Sequence, residues 1–101
     1  MRIVVLFNLK PGVDPAAYEA WARGVDLPGV NALSSVKAFT VHRTTGLFGS
    51  SAPAPYAYVE IIDIVGIDPF VAEVSTEAFQ KVAAAFGDFA DNPQFLLTED
   101  L

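Results

Sequence analysis

The sequence has no cysteine and only one histidine, His42. The first absence excludes disulfides, thiolate nucleophiles and cysteine-bound metal or iron–sulfur centres. The second excludes a site built from several imidazoles. Basic residues are also few, six Lys and Arg against twelve Asp and Glu, for a net charge of −6. Such a chain lacks the clustered cations that nucleic acid requires. No apolar run reaches the roughly 18 residues of a bilayer span. The apolar stretch Ile3–Phe7 has no cleavage-site pattern and reads as a strand rather than a signal peptide. A cytoplasmic protein is expected, with neither membrane nor nucleic acid as partner. Gly12-Val13-Asp14-Pro15 lacks the glycine spacing and lysine of a phosphate loop. Asp88, Asp91, Glu99 and Asp100 lack the spacing of a calcium loop. No cofactor and no metal is therefore expected.

What the chain has in excess is apolar surface: 52% of its 101 residues are hydrophobic. A single domain spanning 1–101 is expected, yet a domain this small hides a comparatively low fraction of its surface. The surplus implies a second buried surface, most simply a homodimer interface.

The same signal follows an apolar run twice, Gly12-Val13-Asp14-Pro15 and Gly66-Ile67-Asp68-Pro69. Gly permits the turn, Asp caps a helix start, and Pro suits the first helical position. Arg2–Leu9 reads as a strand covered on both faces. A helix opens at Asp14-Pro15 and runs to about Gly24, with Tyr18, Trp21, Ala22 and Val25 on one face. Asp26–Asn31 reads as a turn-rich connection. A second strand covers about Ser35–Thr44, and a long loop, Gly46–Pro55, leads to a third strand, Tyr56–Ile64. A helical region capped by Asp68 breaks near Ser75-Thr76 and resumes to about Gly87. Asn92-Pro93 reads as a turn and Gln94–Thr98 as a last strand. The order β-α-β-β-α-β is the ferredoxin-like α+β pattern, a four-stranded antiparallel sheet with helices on one face.

Strand alternation sorts the side chains by face. Ile3, Val5 and Phe7, Phe39 and Val41, and Ala57, Val59 and Ile61 are assigned to the helix side. The opposite face then carries Asn8, Thr40, His42, Tyr58 and Glu60 among apolar neighbours, as a small-molecule site would. The chemistry on offer is acid–base. His42 is the candidate general acid or base, with Glu60 orienting it and Tyr58 and Asn8 as polarising donors. Thr40 and Trp21 complete the candidate substrate contacts, although Trp21 also fits the core stripe of its helix. The implied ligand is a hydrophobic small molecule.

The segments IVVLFNLKPGVDPAAYEAWA, DLPGVNAL, PAPYAYVEIID and FADNPQFLLTE, in that order and spacing, resemble the REDY-like, HapK-type family. The resemblance covers nearly the whole chain. It implies a dimeric α/β-barrel, and a role in secondary metabolism of pyrrole or polyketide-like molecules connected with prodigiosin-type red pigments. It brings no agreed catalytic residues. The expected function is thus a cyclase, isomerase or cofactor-independent oxygenase acting on a hydrophobic aromatic metabolite. A non-catalytic metabolite-binding protein and a structural dimer with closed sheet faces are the alternatives.

Overall fold

The computed structural model describes all residues, 1–101. Four strands, β1 (Arg2–Leu9), β2 (Val36–Arg43), β3 (Tyr58–Ile64) and β4 (Ala90–Thr98), form one antiparallel sheet in the order β2-β3-β1-β4. Helices fill both crossovers, so the expected element order and α+β class hold. The turn expected at Asn92-Pro93 is instead a bulge inside β4. Leu6 faces Gln94 but Asn8 faces Asp91, and Asn92 takes a left-handed φ of 45°. The extra residue places Pro93 where no ladder donor is required.

The first crossover differs most from expectation. α1 (Pro15–Trp21) starts as its sequence requires, with Asp14 Oδ1 accepting the Ala16 N–H at 3.0 Å. It does not stop at Gly24. A π-helical segment, Ala22–Asp26, carries it into α2 (Leu27–Asn31), so the stretch expected to be turn-rich is helical. The π turn explains how Pro28 is tolerated. The Leu27 N–H reaches back to the Ala22 carbonyl, and Pro28 falls in the first turn of α2, where its missing donor is not needed. Tyr18, Ala22, Asp26 and Val30 are consequently all buried, one every four residues. A straight α-helix would rotate such a row steadily off the sheet, and the wider π turn corrects the drift.

In the second crossover, Gly66 rather than Asp68 caps α3 (Ile67–Val74), and Asp68 sits in its first turn. The break at Ser75-Thr76 is where it was expected. Thr76 caps α4 (Glu77–Phe89) by accepting the Phe79 N–H.

Register settles the faces. Ile3 lies opposite Ile62, Val5 opposite Glu60 and Phe7 opposite Tyr58, and directly opposed residues share a face. Tyr58, Glu60, Ile62 and Ile64 therefore point toward the helices and are buried. The expected phase of β3 is inverted. The reason is that β3 is apolar on both sides, with Val59 and Ile61 as suitable for a core as Ile62 and Ile64, so alternation does not reveal the buried side. For β1, and for β2 from Ala38 on, the expected faces hold: Phe39 and Val41 pair with Ile62 and Glu60, and Thr40 and His42 pair with Ile61 and Val59. Val36, expected on the open face, instead pairs with Ile64 and joins the core, because a bulge between Val36 and Ala38 shifts the phase.

Tyr18, Phe7, Ile64 and Val5 are the largest fully buried side chains. Phe7 stacks on Tyr58 and meets Tyr18 edge-on, both at 5.5 Å between centroids. Only 15 of 101 residues are buried, and β4 leaves Phe95, Leu96 and Leu97 between 41% and 65% exposed. Val4, Leu6, Val59, Ile61 and Leu96 share the sheet face that no helix covers.

Candidate functional site

Between the sheet and the helices lies a cavity of about 260 Å³. Phe39 and Ile62 form its floor, and Phe70, Phe79 and Phe86 come down from α3 and α4. Three polar residues interrupt this apolar lining: Asp26, Glu60 and Gln80. Glu60 enters from the middle of β3. Asp26 enters from the helical layer because the π turn swings it toward the sheet. Gln80 Nε2 donates to the Val74 carbonyl at 2.7 Å and so bridges α3 and α4.

Asp26 and Glu60 are 6% and 4% exposed. Burial disfavours a charged carboxylate, and a second charge nearby disfavours it further. Burial pushes Asp26 up to about 6. Burial, then the charge of Asp26, push Glu60 up to about 8, and the Tyr18 hydroxyl opposes this weakly by donating to Glu60 Oε2 at 3.4 Å. Tyr18 is itself held far above the usual phenol range, first by burial and then by the charge of Glu60. A carboxyl titrating close to neutral pH in an apolar cavity suits proton transfer.

A second polar group closes the neighbouring end of the sheet. Tyr58 donates its hydroxyl to Glu19 Oε2 at 2.8 Å, and Arg43 grips the same carboxylate with Nε at 2.8 Å and with a second guanidinium nitrogen. The hydrogen bonds from Arg43 and then Tyr58 lower Glu19 to about 2. Burial, then the bond to Glu19, raise Tyr58 to about 12. This is a satisfied cluster, and its phenol is committed to holding α1 against β3.

The residues expected to form one site are divided: His42 and Tyr58 border one surface pocket at the edge of β2, and Asn8 and Tyr58 another, but neither pocket includes Glu60. Glu60 and Tyr58 lie on the helix side, whereas Thr40 and His42 lie on the open face, where His42 Nε2 contacts Thr40 Oγ1 at 2.9 Å. The expected partnership of His42 with Glu60 is thereby overturned, and inverted β3 parity is its cause. Asn8 also stands apart. Its amide donates to the Pro55 carbonyl at 3.2 Å and accepts the Ala57 N–H at 2.9 Å, clamping the end of the long loop. Trp21 packs against Tyr18 and Phe89. Sequence reasoning missed Asp26 and Tyr18. The one signal for both was the row Tyr18, Ala22, Asp26, Val30, hidden by reading Asp26–Asn31 as turn.

The strand order, the one-sided helical layer and the cavity between them define a ferredoxin-like α+β domain. The chain belongs to the family of REDY-like protein HapK, whose profile matches residues 1–101. It is similar to HapK from Hahella chejuensis, with 31% identity and a TM-score of 0.76 over 100% of this chain and 93% of that one. A dimeric ferredoxin-like protein of unknown function from Thermobifida fusca shares 21% identity at a TM-score of 0.72, over 94% of this chain and 85% of that one. SnoaB, a cofactor-independent oxygenase from Streptomyces nogalater, shares 17% identity at a TM-score of 0.70, over 99% of this chain and 93% of that one. The last two likenesses concern the fold alone. No curated protein matches the chain. No helix is long and apolar enough to cross a membrane.

Proposed function

We propose that this protein is a small-molecule enzyme of secondary metabolism that performs acid–base chemistry on a hydrophobic aromatic, pyrrole or polyketide-like metabolite in the cavity between sheet and helices. Glu60 transfers the proton, Asp26 sets its charge state, and Tyr18 holds its carboxyl. The observation that carries this reading is Glu60 itself, a 4% exposed carboxyl on the wall of an apolar cavity, raised to about 8. A core built for packing alone has no use for two buried carboxyls without a cationic partner. The fold shared with a cofactor-independent oxygenase supports a reaction in which side chains supply the chemistry. We further propose that the protein works as a homodimer closed across the uncovered sheet face. The surplus of exposed apolar residues and the dimeric Thermobifida fusca relative support this assembly.

The test is solvent-deuterium exchange, followed by NMR, at the acidic C–H of aromatic ketones and acylpyrroles small enough for the cavity. Wild type is expected to catalyse exchange in at least one of them, and Glu60→Gln to slow it at least about 100-fold. Exchange equally fast in Glu60→Gln removes Glu60 from the mechanism. Tight binding with no exchange in any compound favours a non-catalytic binding protein.

A further inference from the structure

We propose that the cavity takes a hydrophobic ligand bearing a protonated or N–H-bearing nitrogen, which seats against Asp26 and Glu60 while its apolar body lies among the phenylalanines. The inference rests on the reading of this cavity as the binding site and specifies what enters it.

The donor and acceptor inventory makes the argument. Asp26 is 6% exposed, lines the cavity, and has no hydrogen-bond donor among the protein's groups; burial alone accounts for its raised pKa. Its oxygens are not sealed in the core, where only Ser35 Oγ lacks a partner; they stay accessible where Asp26 lines the cavity, and the natural complement of such an unpaired acceptor is a donor brought by a ligand. The cavity lining contains no Lys, Arg or His. Gln80 has already given its amide to the Val74 carbonyl, and the Tyr18 hydroxyl is aimed at Glu60. An anionic head group would thus meet two carboxyls and no cation, and an acceptor-only group would find one donor at most, the O–H of Glu60 while it is protonated. A nitrogen cation or N–H group would find two acceptors.

The rest of the lining agrees. Phe39, Phe70, Phe79, Phe86 and Phe95 surround the two carboxyls. Aromatic faces attract a cation and stack on a flat heterocycle. An inorganic cation is a poorer match, because no cluster of three or more ligating side chains exists to satisfy its coordination.

Three compounds with a common phenyl body isolate the head group: phenethylamine, phenethyl alcohol and hydrocinnamate. Each is titrated into the full chain at neutral pH, and the chemical shifts of cavity methyls in Ile62, Val74 and Val82 give the affinity. Phenethylamine is expected to bind about tenfold tighter than phenethyl alcohol, with hydrocinnamate weakest. Asp26→Asn and, independently, Glu60→Gln are expected to bring the amine down to the affinity of the alcohol in the same variant, with a smaller change for the alcohol, whose single O–H the amide oxygen still accepts. Both substitutions remove a carboxyl whose burial is unfavourable, and circular dichroism checks that each variant is folded. Alcohol or acid binding as tightly as amine in the wild type refutes the nitrogen requirement and leaves the cavity as a binding site. Failure of all three to move the cavity methyls refutes the binding-site reading along with it.

Discussion

Asp26 and Glu60 meet the same cavity from opposite walls, one carried by the π turn of the helical layer and the other by the central strand β3, and the charge of Asp26 makes Glu60 harder to ionise. Neither has a cationic partner. Two carboxyls in that position work against the fold whenever both are charged, so their presence there points to use rather than packing.

The first prediction concerns stability and pH. Both folded-state values lie above those of the unfolded chain, from 3.8 to about 6 for Asp26 and from 4.5 to about 8 for Glu60. Between those limits the folded protein binds more protons than the unfolded one, so stability is full below the unfolded values and declines as pH rises toward the folded ones. Glu19 acts in the opposite sense, since its value falls from 4.5 to about 2 and its contribution is lost in that acidic range. Thermal unfolding should therefore show a stability maximum at about pH 4–5, lower than usual for a globular domain. Glu60→Gln should match wild type at that maximum and exceed it by about 2 kcal/mol or more near pH 8, equivalent to roughly 10 °C in Tm. Parallel profiles for the two proteins would contradict the assigned burial of Glu60.

The second prediction separates the two faces of the sheet. His42 projects from the open face and pairs with Val59, whereas Glu60 pairs with Val41 on the covered face. His42→Ala should leave deuterium-exchange turnover within about twofold of wild type, as expected of a surface change remote from the reacting groups. Asp26→Asn should keep turnover but shift its pH profile to lower pH, because one of the causes raising Glu60 is removed. A profile insensitive to Asp26→Asn would dissociate the two carboxyls.

Much of the fold is legible in the sequence, because its signals are local. Asp14 ahead of Pro15 caps a helix, Thr76 restarts one, and Arg2–Leu9 is apolar enough to be a central strand. Two features are not legible. The π turn depends on how Ala22 and Leu27 bond across five residues, and a reading based on Gly24, Pro28 and Gly29 as breakers ends the helix too soon. The phase of β3 depends on its pairing with β1 in space, since both of its faces are apolar. A one-residue change of phase moves every side chain across the sheet. That single ambiguity placed Glu60 beside His42 instead of Asp26.

The third prediction tests the polar clamp beside the cavity. Tyr58 is buried beneath its bond to Glu19, and Arg43 is 60% exposed above it. Tyr58→Phe removes one donor while Arg43 still holds the Glu19 carboxylate, and should cost about 1 kcal/mol in urea denaturation. Glu19→Ala should cost more than Tyr58→Phe, because it strands the Tyr58 hydroxyl. Arg43→Ala should cost the least, as expected of an exposed ion pair. If Arg43→Ala proved the most damaging, the clamp would be electrostatic rather than a buried hydrogen bond.

The last prediction concerns the uncovered face. Val59 sits at its centre, opposite Leu6 on β1 and His42 on β2, with Val4, Ile61 and Leu96 around it. In the isolated chain this apolar surface meets water, and burying it against a second copy gains roughly 25 cal/mol for each Å² removed from solvent. Sedimentation velocity at micromolar concentration should therefore report a dimer. Val59→Asp puts a charge where its symmetry-related copy also has one, and each would lose water without gaining a partner. That variant should sediment as a folded monomer with unchanged far-ultraviolet dichroism and an intact Glu60 cavity, since the substitution lies on the other side of the sheet. A wild-type monomer at that concentration, or a Val59→Asp dimer as tight as wild type, would move the interface to another surface, such as exposed Phe95 and Leu97 on the helix side of β4.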